Sequence, residues 1–148
     1  GKLRVRPKGL LSRFCVRAEG RIADLSPRSV AMVLYSLGRL HFRHAGLLRA
    51  SSVNVPCRLD TFSVREISNI VLSLGLLRLK HSEPPQAKLL QASCDHLTGR
   101  LSEFNAQDIS QLVYALGLVC FRHEAVLGRL CNYAMDCDRL AVFKAQEA

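Results

Sequence analysis

The sequence predicts an all-α fold, a right-handed α-solenoid of stacked two-helix repeats that are about 37–42 residues long. The first observation is an Arg-(Ile/Leu) pair that recurs at Arg21, Arg58, Arg100 and Arg139, in steps of 37, 42 and 39 residues. The second is that a segment with apolar residues at i, i+3, i+4 and i+7 follows each of the first three copies, which is the spacing of one helix face. A single repeat of this size cannot bury its own apolar face, so we expect the repeats to stack.

The first helix of each repeat is expected to begin at Ser26, Ser63 or Asn105, whose side-chain oxygen can accept a backbone N–H that the helix leaves unpaired. Glu66 stands three residues after Ser63, which is the spacing of a capping box. The apolar stripe that follows is present in all three copies. It comprises Val30, Val33, Leu34 and Leu37, then Ile67, Ile70, Val71 and Leu74, then Ile109, Leu112, Val113 and Leu116.

A glycine follows the last stripe residue of each copy, at Gly38, Gly75 and Gly117. Each glycine either ends the first helix or permits a neighbouring helix to approach closely. Small residues recur on an adjoining face and favour such an approach. They are Ala31, Ser68 and Ser110, and then Ser36, Ser73 and Ala115.

A short basic turn containing Arg43-His44, Lys80-His81 or Arg122-His123 leads to a second helix, predicted over residues 45–55, about 85–97 and 124–136. Cys94 and Cys131 occupy one position of this helix, and both are predicted to be small core residues. The boundaries are then a basic N-terminal arm (1–8), a partial repeat (9–20), repeats over about 21–57, 58–99 and 100–138, and a partial repeat (139–148). Since the sequence begins and ends within a repeat, we expect further repeats on one or both sides.

The positive charge is concentrated at one end. Residues 1–50 contain 11 Lys and Arg against 2 Asp and Glu, whereas residues 51–148 contain 10 of each. A field of this density attracts polyanions, nucleic acid first and acidic protein or lipid headgroups second. A basic arm that only maintains solubility is the alternative.

Catalytic, metal and membrane functions have little support. His44, His81 and His123 share one repeat position, and a residue needed in every copy is structural rather than catalytic. No Cys-x-x-Cys occurs, and we predict no metal, no cofactor and no small-molecule substrate. No apolar run reaches the ~18 residues of a membrane span. The six cysteines are expected to be free thiols, since a long helical chain is not a disulfide scaffold.

The candidate binding residues come from three series. The arginines of the repeated Arg-(Ile/Leu) pair are more simply explained as bonding the last carbonyls of the second helix, with phosphate contact as the alternative. The turn cations Arg43, Lys80 and Arg122 have the same two explanations, and the structural one is again favoured. The third series is a surface stripe on the first helices, whose structural alternative is an ordinary solvated face. With the basic N-terminal residues, the candidate RNA-binding set is Lys2, Arg4, Arg6, Lys8, Arg13, Arg17, Arg28, Arg39, Arg43, Arg65, Asn69, Lys80, Gln107, Gln111 and Arg122.

The repeated core, clearest over Asn105–Ile109 and Tyr114–Gly117, resembles the organellar helical-repeat proteins of the octotricopeptide, heptatricopeptide, FAST-kinase-like and RAP-domain kinds. The resemblance covers about residues 10–148. The chain lacks Trp and a RAP domain, and so is more similar to the heptatricopeptide and FAST-kinase-like repeats. The resemblance implies non-catalytic binding of rRNA or organellar transcripts within a larger ribonucleoprotein, such as a mitochondrial ribosome, in mitochondria or alternatively in plastids.

A second hypothesis is a protein scaffold that makes no contact with RNA. Leu72, Leu76, Tyr114 and Leu118 lie on the surface stripe, where they would dock another subunit or pack on a neighbouring helix.

Overall fold

The described part of the protein is entirely helical. The structure, a computed structural model, describes residues 8–80 and 84–136. Its α-helices are α1 (Lys8–Glu19), α2 (Pro27–Leu40), α3 (Ala45–Asn54), α4 (Val64–Leu76), α5 (Gln86–Thr98), α6 (Ala106–Val119) and α7 (Glu124–Met135). Short 3-10 helices at Pro56–Thr61 and Leu101–Glu103 precede α4 and α6. The all-α prediction is confirmed over these residues, whereas most of the basic arm and the last partial repeat lie outside them.

The helices pack in two rows that alternate along the chain. The first helices form one row, in which α2 packs on α4 and α4 on α6. The second helices form the other, in which α1 packs on α3, α3 on α5 and α5 on α7. The core contains fully buried side chains from both rows, including Leu34, Ile70 and Leu112 from the first helices and Leu47 and Leu89 from the second. Each repeat therefore contributes one helix to each row.

The predicted starts of the first helices are confirmed. Ser26, Ser63 and Asn105 each accept a hydrogen bond from the backbone N–H three residues later. The carboxylate of Glu66 in turn accepts the backbone N–H of Ser63, and that of Asp108 accepts the backbone N–H of Asn105. Both orphan donors are then satisfied in a reciprocal capping box.

The first helices continue one or two residues past their glycines, and the residue three positions after each glycine turns the chain. His41, Arg78 and Cys120 adopt the left-handed conformation, with φ of 50°, 53° and 54°. After His41, the N–H of Phe42 donates to the carbonyl of Leu37 at 3.0 Å, which is the long bond of a Schellman motif. The glycines therefore do not end the helices, and their role lies in packing.

Gly38 and Gly75 allow neighbouring first helices to approach closely. A Cβ added at Gly38 would lie 3.1 Å from the Cα of Ser73, and one added at Gly75 would lie 2.7 Å from the Cβ of Leu118. A side chain at either position would require the neighbouring helix to shift, more so at Gly75 than at Gly38. Gly117 differs, because no atom lies within 4 Å of the corresponding point.

The prediction that Val113 and Cys131 belong to the core was wrong. Val113 is 46% exposed although its equivalents Leu34 and Val71 are fully buried, and Cys131 is exposed whereas Cys94 is buried. Leu34 and Val71 lie on helices that are followed by another first helix in the row. Within the described chain nothing follows α6 and α7, so the same positions remain uncovered there.

The glycine contacts give a paired stability test. Gly75→Ala should lower the free energy of unfolding by about 1–3 kcal/mol, because the methyl group meets Leu118 and forces α4 and α6 apart. Gly117→Ala should raise it by up to about 1 kcal/mol, since alanine favours the helix and nothing obstructs it. Urea unfolding followed by circular dichroism measures both. Equal effects of the two substitutions would contradict the packing described for Gly75.

Candidate RNA interface

The arginines of α1 and α2 have free guanidinium groups. Arg13, Arg17, Arg28 and Arg39 are exposed, as is Arg21 in the turn between the helices. Among the described residues, none of the five lies within ion-pair distance of a carboxylate or donates a side-chain hydrogen bond. Lys8 is also exposed, at the start of α1. These cations are therefore available to an external anion.

Two of these arginines line an open cleft of about 430 Å³ between α1 and α2. Arg17 and Arg21 stand at this cleft with Phe14, Leu25 and Val33. Phe14 is 51% exposed. An exposed aromatic ring beside guanidinium groups is an arrangement on which a nucleobase can stack while its phosphates meet the cations.

The surface stripe of α4 and α6 is paired across the row. Arg65 donates to the Gln107 side-chain oxygen at 3.3 Å and lies 3.8 Å from the Asp108 carboxylate. Gln111 donates to the Asn69 side-chain oxygen at 2.6 Å. These predicted residues therefore form one continuous polar strip, in which each amide keeps further hydrogen-bonding capacity.

The turn cations have unequal roles. Arg43 donates from Nε to the Leu77 carbonyl and from Nη2 to the Arg78 carbonyl, both at 2.7 Å, and so binds the C-terminal end of α4. Lys80 and Arg122 are exposed, and the nearest carboxylate of Arg122 is that of Glu124 at 3.9 Å. Arg43 thus joins two repeats, whereas Lys80 and Arg122 are exposed and, among the described residues, Arg122 makes only this long contact with Glu124.

Two arginines of the repeated Arg-(Ile/Leu) pair, Arg58 and Arg100, also join repeats. Arg58 donates to the carbonyls of Ile22, Ala23 and Leu25 at 2.8–3.3 Å, and Arg100 donates to the Phe62 carbonyl at 2.6 Å. For Arg58 and Arg100 the expectation of carbonyl bonding is confirmed, but the predicted partner was wrong. These carbonyls belong to the segment before the preceding repeat's first helix, not to the end of a second helix. Arg21 makes no such bond to the described residues, and Arg139 lies outside them.

Arg100 is further fixed by Glu103, whose carboxylate accepts its Nε and Nη2 hydrogens at 2.8 and 2.7 Å. This bonding raises the pKa of Arg100 and lowers that of Glu103. Arg100 is therefore committed to the fold and is not part of a binding surface.

The recurring histidines of the turns are helix caps. His44 Nδ1 accepts the backbone N–H of Leu47 at 3.1 Å, and His123 Nδ1 accepts that of Val126 at 3.2 Å. The structural interpretation is confirmed for both, while His81 lies outside the described residues. The caps were missed because histidine is not among the preferred N-cap residues.

Two further kinds of site, a metal cluster and a membrane span, were sought in the described residues. No cluster of three His, Cys, Asp or Glu side chains that could hold a metal ion occurs there, and none of the described helices is long and apolar enough to cross a membrane. Burial raises the pKa of the Cys94 thiol to about 12, with a further contribution from the Asp95 charge. Cys94 therefore stays protonated and is a packing residue.

Three predicted RNA-binding residues, Lys2, Arg4 and Arg6, lie outside the described residues. Comparisons of the chain with protein-family models, with curated proteins and with solved structures find no match. The organellar repeat family therefore stays a hypothesis that rests on the sequence pattern.

Arg43 and Arg122 occupy equivalent turn positions, so comparing their substitutions tests whether only Arg43 stabilises the fold. Arg43→Gln should lower the free energy of unfolding by about 1–2 kcal/mol, because it removes charged donors from two carbonyls at the surface. Arg122→Gln removes the same charge without that loss and should change stability by less than about 0.5 kcal/mol. Urea unfolding of both variants checks this, and a larger loss for Arg122→Gln would show that the two roles are reversed.

Proposed function

We propose that this chain is a non-catalytic RNA-binding protein, a right-handed α-solenoid that contributes to an organellar ribonucleoprotein. The observation that carries the proposal is the set of exposed, unpaired arginines on α1 and α2. Arg43, Arg58 and Arg100 differ from them, because their guanidinium groups bond backbone carbonyls of a neighbouring repeat. Cations that the fold does not use, concentrated at one end of the chain, are the usual feature of a surface that binds a polyanion.

The two rows of helices support the solenoid part of the proposal. Each row repeats one contact, from α2 to α4 and from α4 to α6 in the first row. Repetition of a single neighbour contact is the defining property of a solenoid, which presents one helix per repeat along an extended surface.

The polar strip supports RNA over a generic polyanion. Repeat proteins that bind single-stranded RNA use a few side chains per repeat against each base. Arg65, Asn69, Gln107 and Gln111 supply amide and guanidinium groups at equivalent positions of two adjacent repeats. We propose on the family resemblance alone that the protein acts in mitochondria, or alternatively in plastids. The same resemblance is the only basis for proposing that it belongs to a ribosome or a transcript-processing complex.

The protein-scaffold alternative is less well supported by the surface. Leu72 is buried, and Leu76 lies against Gly38 as Leu118 lies against Gly75. These leucines are used in packing the first helices together. Tyr114 and Leu118 remain 59% and 36% exposed, so only part of the stripe offers apolar surface to another subunit.

Salt-dependent binding tests the proposal. The purified, nuclease-treated chain should bind a labelled single-stranded RNA of mixed sequence, with an affinity that falls steeply as salt rises, because each phosphate contact releases counterions. Arg17→Gln with Arg28→Gln should reduce the log–log slope by roughly 0.7 for each phosphate contact removed. Fluorescence anisotropy across a salt series measures both quantities.

The control double variant is Arg49→Gln with Lys88→Gln, which removes the same charge from exposed positions on α3 and α5. It should keep the wild-type slope. No binding, or binding unaffected by salt, would overturn the RNA proposal, and equal losses in the two double variants would refute the assignment to α1 and α2.

A further inference from the structure

A second open cleft lies within the first row of helices, between the C-terminal ends of α4 and α6. Its volume is about 550 Å³, within the range of ~300–1,000 Å³ that is usual for pockets that hold small ligands. Its apolar lining comprises Leu76, Leu79, Leu118 and Val119. Described first helices flank the cleft on both sides, so it is an internal feature of the row.

The charged side chains of this cleft are basic. Arg78 and Lys80 line it and are exposed, and none of the described residues that line it is acidic. An adjoining cavity of about 470 Å³ shares His41, Leu76 and Arg78 with it and adds Arg43. We call the two cavities together the turn groove. Its apolar walls and exposed cations suit a ligand that joins an apolar surface to an anionic group.

The backbone of the turn groove is unusual at one repeat position. His41, Arg78 and Cys120 all line the larger cavity, and all have a left-handed backbone with φ between 50° and 54°. Glycine or asparagine is the usual residue in this conformation at the end of a helix. His41 has a use in the fold, since its Nδ1 lies 3.1 Å from the Leu76 carbonyl oxygen.

Arg78 differs from His41 in this respect. Among the described residues its side chain donates no hydrogen bond and forms no ion pair. An arginine in an unfavourable backbone conformation, without an internal contact for its guanidinium group, indicates an external partner.

We propose that the turn groove holds one unstacked nucleotide of the bound RNA, with its base against Leu76 and Leu118 and its phosphate at Arg78. This inference rests on the proposed function. Single-stranded RNA is commonly bound with a base splayed out against arginine planes and apolar side chains. Arg39, in the last turn of α2, occupies the repeat position of Leu76 and Leu118, so the groove continues the cationic surface of α2 along the row. This continuity favours RNA over an acidic peptide.

Cys120 provides a chemical probe inside the groove. Its thiol is free and exposed, as is that of Cys57, which lines neither cavity. Mixed-sequence single-stranded RNA at about ten times its Kd should slow alkylation of Cys120 by iodoacetamide roughly tenfold, because mass action leaves only that fraction of the grooves open. Cys57 should react at an unchanged rate. Mass spectrometry measures both rates, and fluorescence anisotropy on the same samples measures the bound RNA.

Substitutions of Arg78 test its part in the groove. Arg78→Gly should raise the urea midpoint of unfolding, because glycine adopts the left-handed conformation without strain, and it should weaken RNA binding. Arg78→Gln should reduce the log–log salt slope by roughly 0.7, the value for one phosphate contact. Arg49→Gln is the matched control, because it removes the same charge from an exposed position on α3. It should keep the wild-type slope.

Bound RNA that leaves Cys120 fully reactive would overturn the proposal and leave the groove to a protein partner, while RNA binding itself would stand. An unchanged salt slope for Arg78→Gln would also overturn it. So would a loss of stability in Arg78→Gly, by showing that the arginine side chain supports the fold. Absence of RNA binding in the anisotropy measurement would instead refute the proposed function, and the groove assignment with it.

Discussion

The first helices approach one another so closely that even a methyl group at Gly38 or Gly75 would require a neighbouring helix to shift. This spacing brings the small residues Ser73 and Ala115 into the contact and buries them completely. An internal glycine destabilises a helix by about 1 kcal/mol relative to alanine. Here the close packing of neighbouring helices offsets that loss of stability. The spacing also brings the stripe residues of α4 and α6 within hydrogen-bonding distance, as in the contact between Gln111 and Asn69.

Arginine has two separate uses in the chain. Arg43, Arg58 and Arg100 donate to backbone carbonyls of a neighbouring repeat and so satisfy acceptors at the irregular segments between helices. A planar guanidinium group with five donors suits this role better than an ammonium group does. The arginines of α1 and α2 bond no such carbonyls in the described chain. The RNA surface is proposed because of this difference and not because of the net charge alone.

The sequence was sufficient to predict the local structure. The caps at Ser63 and Asn105 and the helical stripes depend on residues within one or two turns, so their pattern is visible in the sequence. The partner of Arg43 lies 34 residues away, and local spacing does not specify it. The exposure of Val113 and Cys131 was also not predictable, because a repeated pattern does not reveal which copy lies at the end of the row.

Nuclear Overhauser effects between protons of neighbouring first helices are the direct test of whether α2, α4 and α6 stack through Gly38 and Gly75. Stacking predicts cross-peaks from the Hα protons of Gly38 to the Hα of Ser73, and from those of Gly75 to the Hβ protons of Leu118. Gly117 should show no comparable long-range cross-peak to residues 8–80 or 84–136. Intact helices without the Gly38 and Gly75 cross-peaks would contradict the stacked arrangement.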